Sequence, residues 1–284
     1  GFVRQMLEDT RPTTFAELVR ISGLSHGTDV WLNNAQNLIK SGKAKLSEVI
    51  SVRDDIMNFL LQKGVDPQNS FWIMEHVRKG KGLTKEEESI MKSNNIPGWY
   101  IDSCRKIKYM FPKAHAAAYV TMAFRIAYFK VHYPAAFYTT YFSTKADDFD
   151  AQLACNGRQK VETTIEELKE KGNDMTAKES GTLTVLKIVL EAMLRGIEFM
   201  SVDIYKSDAS KFKKIDNKLL PPLISLQGLG RSAAESIVEE RSKSDFTSVE
   251  DFSNRTSVTK TVIEKLKEHG SLDGLPEKNQ LSLF

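Results

Sequence analysis

Phe111-Pro112-Lys113-Ala114-His115-Ala116-Ala117-Ala118-Tyr119-Val120-Thr121-Met122-Ala123-Phe124-Arg125-Ile126-Ala127-Tyr128-Phe129-Lys130-Val131-His132-Tyr133-Pro134 sets the fold class of this chain. Phe111-Pro112 is a break, and Pro134 ends or kinks what precedes it, so Lys113 to His132 reads as one long helix. Ala135 to Thr144 continues as a second apolar helix. The whole run from Ala114 to Phe142 is apolar, but His115, Arg125, Lys130, His132 and Pro134 interrupt it. A membrane span needs about 20 predominantly apolar residues, so the run reads as a buried helix of a folded body. Tyr119, Met122, Ala123, Ile126 and Phe129 share one helical face and are expected in the core.

Toward the N-terminus the helical signal persists. Thr14 and Glu17 form a capping pair before Leu18, Val19 and Ile21, and Ser22-Gly23-Leu24-Ser25-His26-Gly27 reads as the turn that ends this helix. Further helices are expected over Val30 to Lys40, Leu46 to Lys63, Asn69 to Lys79, Thr84 to Asn94 and Trp99 to Met110. Toward the C-terminus, Asp147-Asp148-Phe149-Asp150 is a polar boundary. A charged helical stretch follows from Ala151 to Gly196, with a turn at Gly172-Asn173-Asp174. Phe199 to Asp203 is a short strand candidate, Lys206 to Lys218 a loop or hairpin, and Pro221-Pro222 opens the last module.

The chain has 284 residues and is 41% hydrophobic, enough for two or three packed units. Its net charge of +3 is too small to argue for a nucleic-acid partner, so any such affinity must come from local clusters of Lys and Arg. Cys104 and Cys155 stand far apart and read as free thiols of a reducing cytoplasm; no zinc-ligand spacing is present. The start, Gly1 to Phe15, has neither the basic-then-apolar pattern of a signal peptide nor an initiator Met, so the chain reads as beginning within a longer one.

Three stretches carry chemistry. Leu223 to Ala234 matches a helix-hairpin-helix pattern around Gln227-Gly228-Leu229-Gly230-Arg231-Ser232. Glycines let backbone N–H groups approach a phosphate, and the following helix start favours the anion. Such contacts hold duplex DNA without reading its sequence, with an ordinary glycine turn as the alternative. Phe252 to Gly270 reads as a companion helix pair with a glycine C-cap; Lys260, Lys265 and Lys267 lie near its polar face, as DNA contacts or as solvated charge. In the second stretch, Arg105, Lys106, Lys108 and Lys113 place four cations within nine positions, among Tyr109, Phe111 and Tyr119. Lys113 and His115 near a helix start can face a triphosphate and the rings can pack on a base; a surface helix with a structural histidine remains open. The third is the end, Gln280-Leu281-Ser282-Leu283-Phe284, whose apolar side chains suit a docking peptide or a tail folded onto its own domain.

Taken together, Phe111 to Tyr138 resembles the fingers motif of bacterial replicative polymerases of the DNA polymerase III α class. Ser22 to Ile39 is similar to the Gram-positive PolC branch, and the ending resembles the bacterial sliding-clamp-binding peptide. The resemblance implies a mainly α fold: a helical fingers region over 1–145, a charged connecting segment with a short strand or hairpin over 146–220, a tandem helix-hairpin-helix module over 221–275 and a flexible clamp-binding tail over 276–284. It implies that Arg105, Lys108, Phe111, Lys113, His115 and Tyr119, with Ser22, Gly23, Ser25, His26 and Gly27, surround the incoming deoxynucleoside triphosphate. Gln227, Gly228, Leu229, Gly230, Arg231, Ser232 and Lys260 would hold primer–template DNA, and Gln280, Leu281, Leu283 and Phe284 the clamp. Two Mg²⁺ ions would be held by palm aspartates of upstream domains outside this chain. Asp54-Asp55 and Asp147-Asp148-Phe149-Asp150 read as surface acids rather than that site. The parent would be a nucleotidyltransferase of the bacterial cytoplasm, at the nucleoid and without a membrane anchor, while this chain alone would be inactive. The competing class is a non-catalytic, clamp-tethered DNA-repair accessory protein; a hairpin-bearing nuclease or ligase fragment lacks support in any carboxylate cluster or lysine motif.

Overall fold

The computed structural model describes residues 1–279, so the expected clamp contacts Gln280, Leu281, Leu283 and Phe284 lie outside the described residues. The chain divides into two compact units, Gly1–Arg125 and Ile126 onward, with the division inside a helix rather than at the acidic Asp147–Asp150 segment.

The first unit is helical: α1 (Phe2–Thr10), α2 (Phe15–His26), α3 (Gln36–Lys40), α4 (Arg53–Gln62), α5 (Pro67–Arg78), α6 (Lys85–Ser93), α7 (Gly98–Lys106) and the first part of α8 (Lys113–His132). Side-chain caps explain several starts. The Thr14 hydroxyl accepts from Glu17 N while Glu17 accepts from Thr14 N, and Thr84 with Glu87 repeats this arrangement. The core gathers Met6, Leu24, Trp31, Ile56, Leu60, Ile73, Met91, Tyr100 and Ile101.

Several expected helices are corrected. The stretch from Val30 to Lys40 is not one helix: Leu32 is extended and Asn33 has φ 56°, so only Gln36–Lys40 is regular. The helix expected from Leu46 starts at Arg53, because Asp55 accepts from Ser51 N and Val52 N and so fixes the start there. The one expected to reach Met110 stops at Lys106, since Ile107 onward is extended and Thr28 pairs with Tyr109. Glycine does not end α2 at Gly23: the helix runs through it to His26, and the position is glycine because a Cβ there would lie 2.5 Å from Ser51 O. Gly23 is thus a close-packing site, and Ser22, Gly23, Ser25 and His26 form the last turn of α2 rather than a loop.

The second unit comprises the rest of α8, then α9 (Pro134–Thr144), α10 (Ala151–Ala154), α11 (Arg158–Glu170) and α12 (Ala177–Leu194). A three-stranded sheet follows, ordered β1 (Glu198–Phe199), β3 (Lys218–Leu220), β2 (Lys213–Ile215), with β1 parallel and β2 antiparallel to β3. The strand expected over Phe199–Asp203 is thus one residue earlier and shorter, and the hairpin expected within Lys206–Lys218 turns at Asp216, whose φ is 52°. The chain continues through α13 (Arg231–Lys243), α14 (Val249–Arg255) and α15 (Lys260–Glu268). Tyr138, Phe142, Phe149 and Phe212 anchor one part of this core, and Phe246, Phe252, Ile263 and Leu266 another.

The largest correction concerns α8. Its stripe is not core: Tyr119, Met122, Ile126 and Phe129 are 62%, 57%, 49% and 52% exposed, and Ala116 is the helix's only buried residue. Periodicity identifies an apolar face, not what covers it, and the described residues supply no cover. No helix among the described residues is long and apolar enough to cross a membrane.

Candidate functional site

In the first unit, the last turn of α2 and the first turns of α8 face one cleft of about 180 Å³, lined by Ser22, His26, Phe111, His115, Ala116 and Tyr119. These residues are nearly ninety positions apart in sequence, and backbone pairing brings them together. Thr28 N donates to Tyr109 O at 3.0 Å and Lys108 N donates to Thr28 O at 3.0 Å. Arg53 N donates to Phe111 O at 3.0 Å, pinning the other end of the extended stretch. Gly27 makes this approach possible, because a Cβ there would sit 2.9 Å from Tyr109 O.

The rings form a ladder. Phe111 and His115 stack at 4.8 Å and 15°, His115 meets Tyr119 edge-on at 4.6 Å, and Tyr109 and His26 meet Phe111 edge-on at 5.5 and 5.7 Å. His115 and Tyr119 are one helical turn apart, so α8 itself sets their spacing. His26 Nδ1 lies 2.9 Å from both Ser22 O and Ser25 Oγ; the tautomer with its hydrogen on Nδ1, bonded to the carbonyl, has Nε2 as an acceptor. Ser25 Oγ donates to the same carbonyl at 3.0 Å. The ladder offers flat, polarizable faces with polar edges, a surface suited to a heteroaromatic ring.

The expected cations are elsewhere. Arg105 forks onto Glu88 with two 2.7 Å bonds and reaches Asp102 at 2.6 Å, so its charge is already matched. That guanidinium also holds the Glu88 carboxyl below its ordinary range. Lys113 N donates to Asp54 Oδ2 at 2.6 Å, which places a carboxylate at the start of α8, where an anion was expected. The Lys113 side chain lines a separate, larger cleft, and Lys108 is exposed.

In the second unit, Leu226 to Gly230 turns sharply between a short 3₁₀ turn and α13. Gly228 has φ 92°, which a side chain would strain, and Leu229 is buried as the hairpin's plug. Among the described residues no side chain caps α13, whose first N–H groups lie beside exposed Arg231 and Ser232. Gln227 is held within the fold: its side chain donates to Asp150 and accepts from Lys178 at 3.2 Å. Lys265 Nζ donates to Gln227 O at 2.9 Å, bracing the loop from α15. That lysine is therefore a positioning residue and not solvated charge, and only the fold's long-range pairing reveals it. Lys267 is likewise engaged, with Glu277 at 2.9 Å, while Lys260 is exposed at the start of α15.

The companion pair is present, with Gly270 at φ 77° and Ser271 N bonded back to Leu266 O. Arg255 ties it to α13, donating to Glu240 O at 2.6 Å, Ser244 O at 2.9 Å and Asp245 O at 3.1 Å. His269 Nε2 accepts from Val202 N at 3.0 Å, and burial pushes its pKa down, opposed by the Asp150 charge.

The acidic pairs read as surface are mostly structural. Asp55 accepts from Ser51 Oγ at 2.6 Å and from Arg20 at 3.2 Å, and buried Asp150 caps α10 through Gln152 N at 2.9 Å. Ser51 four residues before Asp55 was the available sign for the first of these. Among the described residues no group of three or more His, Cys, Asp or Glu is placed to hold a metal ion. Asp54, Asp55 and Asp150 are occupied by helix-start N–H groups, which does not fit a two-ion site. Cys104 and Cys155 are free, and burial raises both thiols, Cys155 to about 12.

Two family models match the chain: the bacterial DNA polymerase III alpha subunit finger domain over residues 1–95 and the helix-hairpin-helix motif over residues 196–281. Among curated relatives, a DNA polymerase III PolC-type of Caldanaerobacter subterraneus is 62% identical over 283 residues, covering 100% of this chain and 20% of that protein. The proteins of the same description from Clostridium perfringens and Bacillus subtilis are 58% and 56% identical over the same span, again 20% of their length. The aromatic ladder from Tyr109 to Tyr119 lies between the two model matches, so its kinship rests on the full-length similarity.

Proposed function

We propose that this chain, which spans about one fifth of the PolC-type DNA polymerase III relatives it matches along its whole length, is the fingers and duplex-holding part of a DNA-directed DNA polymerase. The observation that carries this reading is the ladder Phe111–His115–Tyr119 in one cleft with Ser22 and His26. The rings hold the base of an incoming deoxynucleoside triphosphate against the end of a primer–template. His26 Nε2 and the Ser22 hydroxyl are polar groups for its edge. Stacking and orientation lower the entropy cost of bringing nucleotide to the primer end. Mg²⁺ would be held by other domains of the parent protein.

The hairpin at Gly228–Ser232 holds a phosphate of the duplex through backbone N–H groups and Arg231, and Lys260, exposed at the start of the companion helix, adds a further contact. Gln280, Leu281, Leu283 and Phe284 dock the sliding clamp, which keeps the enzyme on its template by raising effective concentration. The parent acts at the nucleoid in the bacterial cytoplasm.

The test is Phe111→Ala in the complete polymerase, with nucleotide titrated against a fixed primer–template. Removing the ladder's central ring lowers kcat/KM about tenfold to a hundredfold, while duplex affinity stays unchanged. Unchanged nucleotide kinetics would remove the ladder from the site.

A further inference from the structure

We propose that the first unit carries a second nucleic-acid site: a cleft of about 540 Å³ that takes an unpaired strand, with phosphates on Lys43, Lys63 and Lys113 and a base on Trp99. The inference rests on the polymerase reading and adds to it a place for single-stranded template. The cleft lies between the 43–49 turn, α4 and the starts of α7 and α8, distinct from the ladder cleft. None of the residues lining one lines the other.

Charge and ring chemistry point to this ligand. Lys43, Lys63 and Lys113 converge from three separate segments, and none is in an ion pair among the described residues. Lys63 lies 5.6 Å from the Phe59 ring centroid, which holds its ammonium at the rim. The cleft's two carboxylates are engaged internally: Glu48 accepts from Lys45 N at 2.7 Å, and Asp55 from Ser51 and Arg20. The cationic side chains therefore remain to face an anion. Trp99 is half-buried, braced edge-on by Tyr100 at 5.5 Å, and Tyr100 is stacked on Phe59 at 4.3 Å. A braced ring among lysines is the arrangement by which single strands are held without sequence preference. Asn58 and Gln62 add amide donors and acceptors along α4. A duplex presents its bases already stacked and gains nothing from Trp99, so the site discriminates in favour of unpaired strand.

The experiment uses the full chain with a fluorescein-labelled oligothymidylate and a blunt duplex of the same length, read by anisotropy over a range of salt. The double variant Lys43→Glu/Lys63→Glu weakens single-strand binding about tenfold and flattens its salt dependence by about 1.4 in log–log slope, at about 0.7 per lost phosphate contact. Duplex affinity, carried by the hairpin, stays within about twofold. Trp99→Phe retains most of the single-strand affinity and Trp99→Ala loses it. Single-strand affinity unchanged in the double variant overturns the proposal. A parallel loss on duplex also overturns it, by reducing the effect to general charge. Failure of the polymerase reading shows separately, as Phe111→Ala without effect on nucleotide kinetics.

Discussion

The ladder cleft of the first unit and the glycine hairpin of the second present opposite kinds of surface. The ladder works with side chains: four rings and a histidine edge, held by an extended stretch that Thr28 pairs. The hairpin works with backbone: a glycine at φ 92°, an uncapped helix start and a buried leucine plug. Side-chain surfaces fail when a ring is removed, whereas backbone surfaces fail when the loop is displaced and tolerate loss of neighbouring side chains. This difference decides which substitutions matter in each unit.

The largest effect expected in the second unit therefore comes from its framework. Arg255→Ala removes three bonds to main-chain carbonyls and the contact with Asp251, at a cost of about 2–4 kcal/mol in urea unfolding. Duplex affinity should fall with it. A loss below about 0.5 kcal/mol would mean that the companion helices do not depend on this residue. Next comes Gly228→Val, which forces a β-branched residue to a positive φ. Duplex affinity should drop about tenfold, with little change in nucleotide binding by the ladder. Arg231→Ala should be milder, a few-fold loss with the salt slope reduced by about 0.9, one phosphate contact on duplex. If Arg231→Ala exceeds Gly228→Val, the hairpin is side-chain-borne and the contrast breaks.

The smallest effect is on pH. Burial depresses the folded-state pKa of His269 below its ordinary 6.5. The unfolded chain then binds the proton first as pH falls. Its stabilising contribution is fully present above pH 6.5 and is lost progressively from there down to the depressed folded value. His269→Gln, which keeps an acceptor for Val202 N, should flatten the wild-type minus variant difference in stability between about pH 7 and 5. An unchanged slope would place the ring outside the linkage.

The same contrast explains what sequence could show. The hairpin was legible because its glycines, plug and helix start are consecutive, and so was the Thr84–Glu87 cap. The long helix was legible from its bounding prolines, and the structure sets His115 and Tyr119 from it in one cleft with Phe111 just before it. Their meeting with Ser22 and His26 rests on the Thr28–Tyr109 pairing and the Arg53–Phe111 bond, which no local pattern announces; only the resemblance grouped these residues. Arg105 and Lys113 looked like triphosphate ligands because they are near the rings in sequence. Glu88, brought by another helix, occupies Arg105, and Asp54 accepts from the Lys113 backbone N while the Lys113 residue lines the other cleft. The α8 stripe was read as core because amphipathic spacing gives direction without naming a partner. Lys265 could not be found at all from its own helix, because its role is to reach Gln227 O from far along the chain.

The most direct test of the account is primer extension with Mg²⁺ and all four deoxynucleotides, comparing this chain alone with the same chain joined to the rest of a PolC-type polymerase. Extension by the joined form only is the predicted result. No extension by either form, with duplex binding intact, would contradict it and leave a DNA-binding accessory protein in its place.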